Sequence, residues 1–395
     1  MPHPPDRRPS LGVLFSVVVT DLIGFAIVVP ILPFWAERYG ANGAILGLLL
    51  TSHAAMQFVF APRWGRLSDR IGRRPVMLMT IAGTALALLA LGFAESLITI
   101  FVARIFSGIF GSNVSVATAY LTDVTDEQER TRWMGMIGAS FAVGFTLGPP
   151  IGGLLSPLGH GVPMFFAAGL SLLNLVWAGI RLVEPSERQA SGKSEKLTSR
   201  LDVLRDPAIR RICLVYFLFS LAVTQLETVF AFFMSHRFGY DELGVAMVMF
   251  AMAVVMGAIQ GGGMKRLAAR WNERRLVVAG LSLMALAFAC LPLPGSVALL
   301  MAPLMIASVG RGISQPPLMS LASLGAAAGT HGIVMGVFQS SASAARVVGP
   351  VIAGSLYDRG QPLPFWLAAL LVATAGGLAL ALHDRPSVET AEPVT

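Results

Sequence analysis

Gly65-Arg66-Leu67-Ser68-Asp69-Arg70-Ile71-Gly72-Arg73-Arg74 packs five charged residues into ten positions, between two apolar runs at 43–62 and 75–94. Each run is long enough to cross the ~30 Å hydrocarbon layer as a helix of ~20 residues. So much charge beside so much apolar sequence belongs at a membrane face, and excess Lys/Arg in a short connection marks the cytoplasmic one. The stretch reads as a tight helix-to-helix loop, with Gly65 and Gly72 supplying the sharp backbone turns.

Composition agrees with that reading. The 395 residues are 55% hydrophobic and 13% charged, with mean hydropathy +0.70, whereas soluble domains carry roughly 25% charged residues. Twelve apolar blocks stand out, at about 10–35, 43–62, 75–94, 97–121, 133–155, 162–182, 211–235, 243–263, 276–292, 296–322, 331–356 and 363–382. They are too long for the strands of a membrane barrel and lack alternation. The expectation is an all-α polytopic membrane protein of twelve transmembrane helices.

A net charge of +7 invites a nucleic-acid partner, but the distribution excludes it. Of 29 Lys and Arg, 23 fall on one face: Arg7, Arg8, the 63–74 stretch, Arg130, Arg132, segment 181–211, segment 265–275 and Arg385. That asymmetry puts both termini in the cytoplasm. The N-terminal apolar stretch is too long for a signal peptide and lacks a small-residue cleavage pattern, so it reads as a retained helix. Cys213 and Cys290 lie in separate apolar runs, so neither a disulfide framework nor a metal site is implied. No catalytic constellation, P-loop or cofactor motif is visible. Expected partners are the lipid bilayer, a small-molecule substrate and protons, with the chain acting as a monomer.

Glu184 to Asp206 is the one long polar segment, and it divides the spans six and six. The expected organisation is a half at 1–183, a cytoplasmic linker at 184–210 and a half at 211–395. Internal echoes support it. Arg66, Leu67, Arg70 and Arg74 recur as Arg266, Leu267, Arg270 and Arg274; Gly148-Pro149-Pro150 recurs as Gly349-Pro350; Arg104 has Arg311. Parallel repeats of this kind are used by secondary transporters, whose substrates bind near mid-membrane.

With these residues the chain resembles the major facilitator superfamily, and within it the twelve-span drug:proton antiporters. Gly65 to Arg74 looks like that family's loop between helices two and three. Gly144-Phe145-Thr146-Leu147-Gly148-Pro149-Pro150-Ile151-Gly152-Gly153 resembles the helix-five antiporter motif, and Asp21 to Pro33 resembles helix one of the tetracycline-efflux branch. Arg104-Ile105-Phe106-Ser107-Gly108 is similar to the helix-four motif. The resemblance implies a proton-coupled exporter of drug-like amphipathic molecules in a bacterial inner membrane. An endogenous metabolite is the alternative substrate, and a non-transporting sensor or scaffold the alternative role. Two features depart from the pattern: Ala269 replaces the acid equivalent to Asp69, and 243–263 and 276–292 contain neither acid nor histidine.

A proton-driven exporter needs a carboxylate whose ionisation changes with exposure, and intramembrane ionisable groups are functional by default. Asp21 is the leading proton site, with Arg104 tuning it or relaying through water. Glu227 is a second proton site or an anchor for a cationic substrate. His53 and Gln57 sit four apart and share a face. With Asn113, Gln225, Gln339, Arg311 and Arg346 they are candidates to line the cavity, Glu227 being a possible counter-ion for either arginine. Gly144, Gly148, Pro149, Gly152 and Gly153 permit close helix approach and a kink. The cytoplasmic gate is expected at Gly65, Asp69, Arg70, Gly72, Arg73, Arg74 and Asp123. Its arginines would pair with Asp123, Asp126 or Glu129, and the resemblance implies that Asp69 docks near Thr330 to Gly332.

Overall fold

The computed structural model describes residues 11–125, 127–159, 161–185, 203–326 and 331–382, excepting the side chains of residues 127–132, 134, 135, 138 and 331. The expectations resting on Arg7, Arg8, Arg385, Asp126, Thr330 and the side chains of Glu129, Arg130 and Arg132 fall outside these.

All regular structure among the described residues is helical, as a chain that must satisfy its backbone inside lipid requires. In chain order the helices are α1 Leu11–Val28, α2 Leu32–Arg38, α3 Gly43–Ile71, α4 Arg73–Gly92, α5 Leu97–Phe110, α6 Asn113–Val124, α7 Glu127–Leu155 and α8 Val162–Arg181. Next come α9 Pro207–Phe238, α10 Glu242–Ala258, α11 Met264–Ala268, α12 Glu273–Cys290, α13 Val297–Leu324, α14 His331–Arg359 and α15 Leu363–Leu380. Starts are written locally. Asn42 caps α3 by accepting from Ile45 N at 2.9 Å, Ser96 and Thr99 form a reciprocal capping box on α5, and Asn272 caps α12.

Among the described residues, ten stretches are long and apolar enough to cross a membrane, against the twelve expected. The two that fall short are α12 and α14. Glu273, Arg274 and Arg275 occupy the first turn of α12, which is only 18 residues long. Helix α14 carries Gln339, Arg346, Asp358 and several serines. Three spans are irregular. The first, Leu11–Arg38, breaks at Val29–Ile31, where Pro30 has no N–H to donate. The fourth, Leu97–Val124, breaks at Gly111–Ser112. The eighth, Glu242–Ala268, contains a π-helical turn at Ile259–Gly263.

The expected loop at 65–74 is corrected. Helix α3 runs through Gly65 to Ile71 and α4 starts at Arg73, so Gly72 alone makes the turn, at φ 113°. Ser68 bonds back to the Gly65 carbonyl at 2.7 Å, and Arg66, Asp69 and Arg70 are exposed on this helix end. Only Gly72 uses glycine's freedom.

The chain divides into two compact units. The first comprises Met1–Ser194, Glu227–Val254 and Val347–Gln361. Here α1 packs on α7 and α8, and α4 on α5 and α8. One apolar core gathers Ile27, Ile31, Trp35, Leu49, Leu88 and Met164; another gathers Leu14, Val17, Leu22, Met77, Ile81, Val116 and Tyr120. Helix α3 also runs antiparallel to the end of α14. Gly47 touches the Pro350 carbonyl, and Thr51 donates to the Val347 carbonyl at 2.8 Å.

The second unit comprises Glu195–Leu226, Val255–Arg346 and Pro362–Thr395. Its α12 packs on α13 and α15. Gly280 and Gly310 let α12 and α13 meet backbone to backbone: a Cβ at either would lie 2.6 Å from the other's carbonyl oxygen. Tyr216 stacks on Phe338 at 3.9 Å between ring centroids.

Candidate functional site

The fourth span breaks because Gly111, Ser112 and Asn113 are poor interior helix residues and good helix starters. A break frees carbonyls that lipid cannot satisfy. Helix α3 supplies the donors. Trp64 Nε1 donates to the Ile109 carbonyl at 2.6 Å, and Gln57 Nε2 donates to the Gly111 carbonyl. Gln57 and Trp64 are seven residues, two turns, apart and so share one face.

The break lets α6 begin at Asn113, inside the first unit. Asn113 Nδ2 donates to Asp21 Oδ1 at 2.7 Å, and the Thr80 hydroxyl donates to Asn113 Oδ1. The carboxylate can only accept, so it holds Nδ2 toward itself, and Thr80, whose hydroxyl also reaches the Val76 and Met77 carbonyls at 3.0 and 2.9 Å, closes the far end of the amide. Asp21 is half-buried, Asn113 is 2% exposed and Thr80 is fully buried. Leu22, Met77, Ile81 and Val116 surround this polar chain with apolar side chains.

Arg104 lies one helix back, on α5, and is 4% exposed. Its Nε has no hydrogen-bond partner among the described residues, and its neighbour is His53, not Asp21. An arginine at mid-membrane is disfavoured by ~2.5–3.5 kcal/mol on insertion scales, so this one is retained against a gradient of stability. His53 is 6% exposed, tilted on Phe25 at 5.6 Å, with Nδ1 unpartnered. Asp21, Asn113, Arg104, His53 and Gln57 thus converge around the break. Thr80 and Trp64 belong with them and escaped the sequence reading, because a neutral residue in an apolar helix shows no partner until the fold supplies one.

Other candidates lie elsewhere. Glu227, Gln339 and Arg346 are exposed, Arg311 is half-buried and Gln225 is fully buried. Gly144, Gly148 and Gly152 line the α1 side of α7: a Cβ on each would meet Leu22 Cβ at 2.7 Å, collide with Ala26 Cβ, and meet the Ile27 carbonyl oxygen at 2.5 Å, in that order. Gly153 faces Ala246 instead, and α7 continues through Pro149 and Pro150.

At the basic end, Arg73 pairs with Asp123 at 2.7 Å and with Asp69 at 2.6 Å. Arg74 Nη2 donates to the Gly179 carbonyl at 2.6 Å, while Arg70 is exposed. Glu184 organises this cluster: its two carboxylate oxygens accept from Arg73 N at 2.7 Å and Arg74 N at 2.8 Å, capping α4. Assignment to the linker hid that role in the sequence.

Helices of membrane-spanning length, broken where buried charged and amide groups converge, define a polytopic membrane protein. The family model for the Major Facilitator Superfamily matches residues 14–350 and 264–394, and the chain belongs to that family. It is 30% identical over 382 residues to the class D tetracycline resistance protein of Salmonella ordonez, covering 95% of this chain and 96% of that one. The class B protein of Escherichia coli is 29% identical over 364 residues, covering 90% of each. Among solved structures, the human organic anion transporter MFSD10 (TETRAN) aligns with TM-score 0.71 and 28% identity, over 95% of this chain and all of that one.

Proposed function

We propose that this membrane transporter is a proton-coupled antiporter that exports drug-like amphipathic molecules by alternating access. The observation carrying the reading is the Asp21–Asn113–Thr80 chain at the break in the fourth span. Asn113 donates to the charged carboxylate, so movement of α6 away from α1 removes a bond that only the ionised form needs. Proton uptake and release then track the position of one helix. Arg104, buried beside the break with His53 next to it, supplies a positive field. Resistance relatives at about 30% identity support drug export. The protein works as a monomer in a bacterial inner membrane, with both termini cytoplasmic and with two six-helix halves at 1–183 and 211–395. The basic hairpin with Asp69 is the cytoplasmic gate.

The test is substrate-driven proton flux in inverted vesicles. Asp21→Asn preserves shape and removes the exchangeable proton, so flux and export should both stop while insertion persists. Normal gradient-driven export by Asp21→Asn would end this reading.

A second reading, transport of an organic anion, is favoured by the second unit. No acidic residue occurs between Arg274 and Arg346. Arg311 and Arg346 both lie within electrostatic reach of the Tyr216 phenol, which bonds Gln315. Gly332, Gly336, Gln339 and Arg346 form one exposed face of α14, too polar for lipid. Competition for export by anionic against cationic aromatic compounds separates the two readings.

A further inference from the structure

At the end of α3 opposite the basic hairpin, the Asp358 carboxylate grips the helix start. Asp358 Oδ1 accepts from Gly43 N at 2.8 Å and Oδ2 from Ala44 N at 2.9 Å. These are two of the four first-turn donors a helix cannot satisfy itself. Asp358 lies in the last turn of α14, and the two backbones are pressed together there: a Cβ at Gly354 would collide with the Gly43 carbonyl oxygen. The seam continues inward through Gly47 against Pro350 and Thr51 against Val347. Beside it, His236 links Glu37 of α2 at 2.6 Å to the Tyr357 hydroxyl at 3.1 Å. That contact is about a third exposed (34% and 37%) and adds little. The charge-assisted double bond to the helix start is the stronger clasp.

The geometry points to Asp358 as the positioning residue of the outer gate: its carboxylate holds α3 against α14, and that face opens only when the carboxylate leaves the α3 start. The clasp rests on the alternating-access reading but is read out as conformation, without transport. Each helix of the pair is 29 residues long and carries an aspartate in its last turn, Asp69 in α3 and Asp358 in α14. In this structure Asp358 is docked, while Asp69 is 59% exposed and paired with Arg73.

A thiol reporter tests the clasp. Thr51→Cys, in the full chain with Cys213→Ser and Cys290→Ser, is labelled from outside right-side-out vesicles by a membrane-impermeant maleimide. Asp358→Asn cannot accept from both amides, and loss of a helix cap should raise labelling ~2- to 30-fold. Glu95→Gln, an exposed acid away from the seam, should leave it unchanged. A methyl at Gly43 would lie 2.7 Å from Asp358 Oδ1, so Gly43→Ala already displaces the carboxylate. Adding Asp358→Asn to it should raise labelling no further. Wild-type labelling in Asp358→Asn, an equal rise in Glu95→Gln, or additivity with Gly43→Ala overturns the proposal. Should Asp358→Asn fail to insert, hydrogen exchange on the unmodified protein decides: mid-helix protection of the Gly43 and Ala44 amides upholds the clasp, and rapid exchange overturns it.

Discussion

Thr80 shows how one methyl-sized change can decide what a carboxylate does. Its hydroxyl meets the Asn113 amide oxygen on the side away from Asp21. Thr80→Val keeps the volume and removes that partner. A buried acceptor left unpaired costs about 1–3 kcal/mol, so the variant should unfold at lower temperature. Its export rate should fall severalfold, while Thr80→Ser restores the rate in vesicle assays. Equal rates in Thr80→Val and wild type would free Asn113 from the relay. Arg104→Gln removes a buried charge and should raise thermal stability even as export fails; a variant both less stable and active would make Arg104 a clamp only. Charged candidates at this scale were legible, since Asp21 and Arg104 are conspicuous inside apolar runs. Thr80, Trp64 and Glu184 were not, because each acquires its partner from a helix distant in sequence.

Helices α1 and α7 form the seam through which the Gly144–Gly152 face reaches the neighbourhood of Asp21. Gly144 faces Leu22, the neighbour of Asp21, and Gly148 faces Ala26 one turn further on. A Cβ at Gly148 would collide with Ala26 Cβ, so Gly148→Ala must push α1 aside. Overpacking of this kind costs about 1–3 kcal/mol. We expect a lower melting temperature together with lost export, and retention of both would reduce the motif to sequence without mechanical consequence. Gly72→Ala is strained twice, by φ 113° and by a Cβ 2.7 Å from Glu184 Oε1. Gly65→Ala, inside α3 with open space around it, should be neutral or stabilising. Comparing the two by thermal unfolding checks that one glycine, not both, makes the turn. The helices themselves were legible from apolar length. The break at Gly111 and the helical course through Gly65 were not, because side chains from α3 sustain the first and the exposed charges on that helix end permit the second.

Across the whole molecule, composition and charge placement already imply a helical membrane protein whose basic segments share one face. Family motifs narrow it further, and the family match bears that out. What distance along the chain cannot reveal is closure, since Asp358 and Gly43 are 315 residues apart. The same long view gives meaning to Glu184. That carboxylate ties the chain leaving the sixth span to the start of α4, and Tyr120 holds the Val183 carbonyl beside it. The chain is therefore moored to α4 and α6 just where the polar segment begins. Among the described residues, the contacts that fix this end are all made within the first half. Two genes, one ending at Ser191 and one starting at Gly192 behind a new initiator methionine, should complement each other when co-expressed and confer export that neither does alone. The seam between the fragments would then be written in surfaces, as it is between subunits.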